Sequence, residues 1–313
     1  MNKKIITAII VVIAIVVALV LWPSNKAEAA DLDVYGELNY KLSNDENSSG
    51  KAITKAENNS SKIGVDISEE FVTGDSTSIT GFAKLELGVD TDDSGSNPFD
   101  SRLAYVGLDF GSAGKLSAGR QASPFAENIS GITDVFEVYG SGADQKLFDR
   151  DSNTIAYSSK IGMFEVDSIM KVDGESGSAG DKNGVDVWEY TVKGEFQNVK
   201  AAIGYSNDEV NDILYKGIGL STSVAGLDVA YTHTLKDAAT DVAGDEFVVS
   251  KTIGSTTFTG GYGKVEDSTA YTTAGVQHNI TESLSTYAEY QGANNTGSTV
   301  DTDSMSTGIK FSF

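Results

Sequence analysis

The chain has 313 residues, and 45 Asp and Glu against 23 Lys and Arg give it a formal charge of −22 and a pI near 4.3. That surplus excludes nucleic acid as a main partner, because phosphate binding needs a basic face, and the absence of Cys excludes disulfide frameworks and thiolate metal sites. Apolar residues are 40% and aromatics 9%, enough for an ordered fold despite the charge.

The N-terminus reads Met1-Asn2-Lys3-Lys4, an apolar run from Ile5 to Trp22, then Pro23-Ser24-Asn25-Lys26 and Ala27-Glu28-Ala29-Ala30. A basic start, an apolar stretch and a small-x-small site predict a secretory signal over 1–29, cleaved after Ala29, with 30–313 as one domain. The apolar run of 18 residues is also long enough to span a bilayer, so an uncleaved anchor is the competing reading. Either way the remainder leaves the cytoplasm. The 284 residues that follow carry a net charge of −24 and hold no other apolar run of that length, so any membrane crossing falls to strands.

From Leu32 the period is two. Leu32, Val34, Gly36, Leu38, Tyr40 and Leu42 share one face, and Asp33, Tyr35, Glu37, Asn39 and Lys41 the other. The alternation returns in chain order near residues 63–67, 79–87, 104–110, 115–120, 155–157, 164–172, 188–192, 199–205, 218–220, 227–231, 247–249, 258–262, 270–276, 284–290 and 305–313, about sixteen strands in all. Short turns such as Gly111-Ser112-Ala113-Gly114, Gln197-Asn198 and Gly254-Ser255-Thr256 alternate with long polar stretches at Ser43–Ser61, Asp173–Asn183, Asp237–Gly244 and Gly292–Thr302. Short turns at one end and long loops at the other predict an all-β, antiparallel up-and-down barrel crossing an outer membrane. A soluble β-sandwich also alternates. Against it stand the charged polar faces, the interface tyrosines Tyr40, Tyr157, Tyr205, Tyr231 and Tyr290, and the strand length; Pro23, Pro98 and Pro124 all fall outside strands.

Ser101-Arg102-Leu103-Ala104-Tyr105-Val106-Gly107-Leu108, the glycine turn, Gly119-Arg120-Gln121 and Ser123-Pro124-Phe125 resemble the general diffusion porins of Gram-negative bacteria. The likeness continues through Ile132–Gly140 and Arg150–Tyr157, and takes in Val34-Tyr35-Gly36-Glu37-Leu38 and the terminal Phe313. It implies a homotrimer of sixteen-stranded barrels in outer-membrane lipid and lipopolysaccharide, a third loop folded inward to narrow the pore, and a C-terminal Phe313 read by the outer-membrane assembly machinery. The chain departs from the best-known enteric members in lacking their Pro-Glu-Phe-Gly-Gly loop segment and in its long apolar leader.

Such a channel does no bond chemistry. Carboxylates on the loop face basic groups on the wall, and the field between them orders water and favours small hydrophilic solutes. By motif position the wall candidates are Lys62, Arg102, Arg120 and Arg150, and the loop carboxylates are Asp134 and Glu137. Arg102 has the parity of the apolar Ala104 and Val106, so a place at the membrane rim is the alternative. Arg120 shares parity with Leu116 and Ala118 and needs a bulge or strand end to point inward. For Asp134 and Glu137 the alternative is a solvated loop charge. The acidic excess predicts a cation preference.

Asp90, Asp92 and Ser94 imitate the start of a calcium loop, yet its twelfth position is Ser101 rather than Glu, and an acidic external loop is the simpler reading. No cofactor is expected beyond that Ca2+. His233 and His278 are the only histidines and no hydrolase or metalloprotease motif is present, which argues against an enzyme. Two other readings stay open: a substrate-selective channel on the same barrel, and a closed structural or adhesive surface barrel.

Overall fold

The computed structural model describes residues 30–47, 49–73, 77–92, 98–172, 184–295 and 301–313. The expected signal over 1–29, the stretch Asp173–Asn183 and Ser94 lie outside the described residues. Alternation of side chains across a pleat builds seventeen strand segments: β1 (Asp31–Glu46), β2 (Ala52–Asn58), β3 (Lys62–Thr73), β4 (Thr77–Val89), β5 (Phe99–Asp109), β6 (Lys115–Ala122), β7 (Arg150–Ile161), β8 (Phe164–Lys171), β9 (Val187–Phe196), β10 (Val199–Asp208), β11 (Ile213–Val224), β12 (Leu227–Asp237), β13 (Val242–Ile253), β14 (Thr256–Val265), β15 (Thr269–Asn279), β16 (Leu284–Asn295) and β17 (Thr302–Ser312).

Each segment from β3 onward pairs antiparallel with the next in the chain, and β17 returns to β1 in register from Glu37↔Ser312 to Asp45↔Ser304. The sheet therefore closes and leaves no edge. Two segments share one side of β1: Asp31↔Ser68 through Glu37↔Lys62 belong to β3, and Tyr40↔Asn58 through Glu46↔Ala52 to β2. Between them Ser60 takes a left-handed φ of 60°. β2 and β3 are thus one interrupted wall strand, and the seventeen segments form a sixteen-strand barrel.

The two faces are inverted relative to a soluble protein. On β1 the apolar Leu32 and Leu42 are 65% and 50% exposed while Asn39 and Ser43 are 2% and 1%. The same holds on β9 and β16, where Tyr190 and Tyr290 face out and Glu189 and Glu289 are buried inward. A sandwich would bury the apolar set; a barrel in lipid turns it outward. Among the described residues no helix is long and apolar enough to cross a membrane.

Two expected loops are shorter than the polar composition suggested. Ser43–Ser61 carries the end of β1 and all of β2, and Asp237–Gly244 leaves only 238–241 between strands. In both places a polar strand extends past the apolar belt, where water replaces lipid and the apolar alternation fades. At the opposite end the turns are tight, and Gly162 and Gly254 supply the φ of +63° and +61° they require.

Candidate functional site: the inward segment and the wall it leaves bare

Between β6 and β7, residues 123–149 fold along the inner face of the barrel instead of rising from its rim. The segment starts on a helix, α1 (Pro124–Asn128), with Pro at its first turn and Ser123 as N-cap, its Oγ accepting from the Ala126 N–H at 3.0 Å. Phe125 and Ile129 are fully buried and pack with Ala202 and Tyr215 of β10 and β11. Two glycines make the seat: a Cβ on Gly204 or Gly217 would lie 2.8 Å from Ile129. Farther along, Phe136 fills the space over Gly261 and Gly275 of β14 and β15.

Three inward glutamates then hold the backbone. Glu189 of β9 accepts from Ser123 Oγ at 2.6 Å and from Ser206 Oγ at 2.9 Å. Glu289 of β16 accepts the N–H groups of Glu137, Val138 and Tyr139 at 2.6, 2.9 and 3.1 Å. Glu246 of β13 accepts the Ala143 N–H at 2.8 Å on the way back. At its far end the segment reaches β1, where the Tyr139 hydroxyl donates to Asp45 at 2.7 Å; burial and that bond raise the phenol above its ordinary range. The segment thus covers the wall from β9 round to β17, and its seat is built from carboxylates paired to backbone donors, so few buried polar groups go unmatched.

The wall of β3–β7 stays bare and charged. Lys84 bonds Asp66 at 2.9 Å and lies 4.5 Å over the Tyr35 ring, and Arg102 Nε bonds Glu86 Oε1 at 2.6 Å. Lys62 stands within electrostatic reach of the same Glu86. Arg150, first residue of β7, feels Arg102, Arg120, Asp149 and Glu86. Arg102, placed by parity among the outward residues, turns inward because the β4–β5 register slips between Glu86 and Leu87, leaving it as the extra residue. Arg120 also sits at a slip, between Gly119 and Gln121, and reaches sideways to the Ser101 carbonyl at 3.0 Å and Ser152 Oγ at 3.2 Å.

The two expected loop carboxylates do not face that wall. Glu137 is bonded to Lys310 of β17 and to Asn39 Nδ2, on the other side of β1. Asp134 is turned to its own segment, beside Ser141, Gly140 and Lys146. The carboxylate that does face it is Glu127 of α1, whose electrostatic neighbours are Lys193, Asp167, Lys84 and Arg150. With Lys84, Tyr105, Asn128, Asp167 and Lys193 it lines a chamber of about 360 Å³. Protein surrounds Glu127 on most sides although its tip is accessible, and this burial raises its carboxyl above the ordinary range. A second chamber of about 520 Å³ continues toward the short turns past Ile132, Lys160, Phe164, Glu195 and Lys200.

Glu127, Lys84, Lys310 and the three anchoring glutamates were not singled out from the sequence. Glu127 lies one turn into a helix that only the Ser123-Pro124 pair announces, and an inward glutamate on a strand looks the same whether it meets water or a folded-in backbone. Of the residues expected to imitate a calcium loop, Asp92 follows β4, and its Oδ2 accepts the Asn58 N–H at 2.8 Å and so caps β2. Among the described residues no group of three His, Asp or Glu side chains is arranged to hold a metal ion.

A family model described as Gram-negative porin matches residues 14–298. No curated protein sequence matches the chain. Among solved structures, the anion-selective porin from Comamonas acidovorans superposes with a TM-score of 0.74 at 15% identity, covering 91% of this chain and 100% of that one. Salmonella typhi OmpF in complex with daunomycin gives 0.71 at 17% identity, covering 90% and 97%. The trimer form of OmpT, an outer membrane protein of Vibrio cholerae, gives 0.67 at 16% identity, covering 91% and 100%. At these identities the likeness to the solved structures is one of fold.

Proposed function

The chain belongs to the family of Gram-negative porins, and from that premise we propose that it is an outer-membrane channel for passive diffusion of small hydrophilic solutes and ions, without bond chemistry. The observation that supports this best is the inward segment: it covers β9–β17 and leaves a passage between Glu127 and the charged wall of β3–β7. A folded-in segment narrows the lumen, and opposed charges at the narrowing order water and act on solutes by charge and dipole.

Selectivity favours cations in this reading. On the wall Lys84 and Arg102, and elsewhere in the lumen Lys193 and Lys310, each have a bonded carboxylate, no ion pair holds Glu127 among the described residues, and the net charge of −22 weighs against Lys62, Arg120 and Arg150, which form no ion pair among the described residues either. The Comamonas protein is described as anion-selective on the same fold, so the sign rests with side chains rather than with the barrel. The proposal includes assembly as a homotrimer, contact with lipopolysaccharide and recognition of Phe313 by the assembly machinery; the trimer form among the similar solved structures supports the first. At the C-terminus Phe313 exchanges backbone hydrogen bonds with Gly36, at 2.9 and 3.0 Å, which ties the last residue into the closing seam.

The test is single-channel conductance of purified protein in a planar bilayer with a KCl gradient. Stepwise openings, in threes for a trimer, with a reversal potential favouring K+ are expected. Folded protein that gives no openings overturns the channel reading, and a reversal potential favouring Cl− overturns the cation preference alone.

A further inference from the structure

Residues 141–146 form the return arm of the inward segment, and their seat is unlike the rest. Ala143 is fully buried, its N–H directed at Glu246 Oε1 and at the Tyr271 hydroxyl, each at 2.8 Å. Tyr271 in turn donates to Glu246. The next residue, Asp144, is 9% exposed; Oδ1 accepts from the Thr232 hydroxyl at 2.8 Å, and Oδ2 is buried outside hydrogen-bond geometry, with the buried Ser130 hydroxyl as its near neighbour. The Gln145 N–H donates to Thr234 Oγ1 at 2.7 Å. Two carboxylates on adjoining elements are therefore buried within reach of each other's charge.

We propose that this arm is a proton-dependent latch, seated on β12, β13 and β15 while the Asp144 carboxyl carries a proton beside Glu246, and released toward the passage when Asp144 ionises.

The surroundings leave little to offset a second charge. Facing the pair are Thr232 and Thr234 from β12, Tyr271 from β15, and Ser130, Asp134 and Lys146 from the segment itself. Lys146, the one cation among them, is bonded to Asp149 at 2.8 Å. Burial, then the Glu246 charge, push the Asp144 carboxyl up to about 7. Released into water it would return to an ordinary value of about 4. A carboxyl raised in the seated state stabilises seating fully below about pH 4, progressively less as pH rises to about 7, and no further above that. Over three pH units the seated-to-released ratio falls by up to about a thousandfold. The latch works on the segment whose narrowing role rests on the channel reading, but seating itself is independent of it.

Amide hydrogen exchange of the full chain in lipid nanodiscs, read by mass spectrometry between pH 5 and pH 8 and corrected for intrinsic rates, tests this. Peptides covering 141–146 are expected to lose at least tenfold protection over that range, while β-strand peptides stay level. Asp144→Asn, which removes the titrating carboxyl from the arm, should abolish the change, and Glu246→Gln, which removes the charge beside it, should shift the change to lower pH. Wild-type protection that is flat across pH, or that changes equally in both variants, overturns the latch; if one variant does not assemble, the other decides. Channels that stay silent while exchange shows the transition would sink the channel reading and leave the latch standing.

Discussion

Arg102 reaches Glu86 only through a slip in register: Glu86 pairs with Leu103 and Leu87 with Ser101, and the guanidinium left over turns inward to lie 2.6 Å from the carboxylate. The pair is mostly enclosed, at 17% and 8% side-chain exposure, and the Tyr35 hydroxyl completes it at 2.9 Å. Removing the carboxylate leaves a largely buried cation. Glu86→Gln is expected to destabilise the barrel by about 3 kcal/mol and to lower the K+ over Cl− permeability ratio, since an uncompensated positive charge then faces the passage. Thermal unfolding in detergent and the reversal potential in a KCl gradient read the two effects; an unchanged reversal potential would show that Arg102 lies outside the conduction path.

The same slip marks the limit of what alternation reveals. All sixteen windows of period two correspond to wall strands, because lipid outside and water or polar backbone inside impose opposite demands on alternate residues. β2 was missed since Ala52-Ile53-Thr54-Lys55-Ala56-Glu57-Asn58 extends beyond the apolar belt, where nothing selects an apolar face. Arg102 was legible as a residue of interest but not as inward, because one extra residue reverses parity. The orientation of the loop carboxylates was illegible for another reason. Which way Asp134, Glu137 or Glu127 points depends on how Phe125, Ile129 and Phe136 seat over glycines more than 70 residues away, a long-range fit with no local signature.

Glu127 is expected to carry the selectivity that Asp134 and Glu137 were first expected to carry. Glu127→Gln should lower the K+ over Cl− permeability ratio roughly twofold, the effect of one charge in a narrow, low-dielectric passage, whereas Asp134→Asn should change it little. Because burial raises the Glu127 carboxyl, its charge disappears on acidification at a pH above the usual carboxylate range near ~4.3. Cation preference in the wild type should therefore decline at a pH where exposed carboxylates are still ionised, and the variant should lack that step. Reversal potentials measured from pH 8 to pH 4 check both statements, and identical curves for the two proteins would remove Glu127 from the filter.

The Glu289 carboxylate collects three consecutive N–H donors, the densest anchor on the segment. Glu289→Ala strands all three next to a hydrated lumen, where water recovers part of the loss, so the tip should loosen by about 2 kcal/mol rather than detach. Lys310 still holds Glu137 from β17. The expected signs are faster amide exchange over 136–140 and added current noise in open channels, with barrel melting nearly unchanged. Level exchange over 136–140 would mean that Phe136 and the Lys310 pair hold the tip without Glu289.

Steric fit offers a control that electrostatics does not. A Cβ at Gly217 would meet Ile129 and Phe125, each at 2.8 Å, in the fully buried cluster that seats α1, whereas one at Gly260 meets nothing nearer than Val249 at 3.9 Å. Both glycines sit in strand interiors, so both gain the same backbone restriction on substitution by Ala. Gly217→Ala is expected to cost about 1–3 kcal/mol through overpacking and, because α1 must lift away from β10 and β11, to carry Glu127 toward the bare wall. Conductance should fall and cation preference rise together. Gly260→Ala should leave both unchanged. If Gly217→Ala alters melting alone, with conductance and reversal potential held, then α1 is a packing element only and the narrowing of the passage lies elsewhere on the segment.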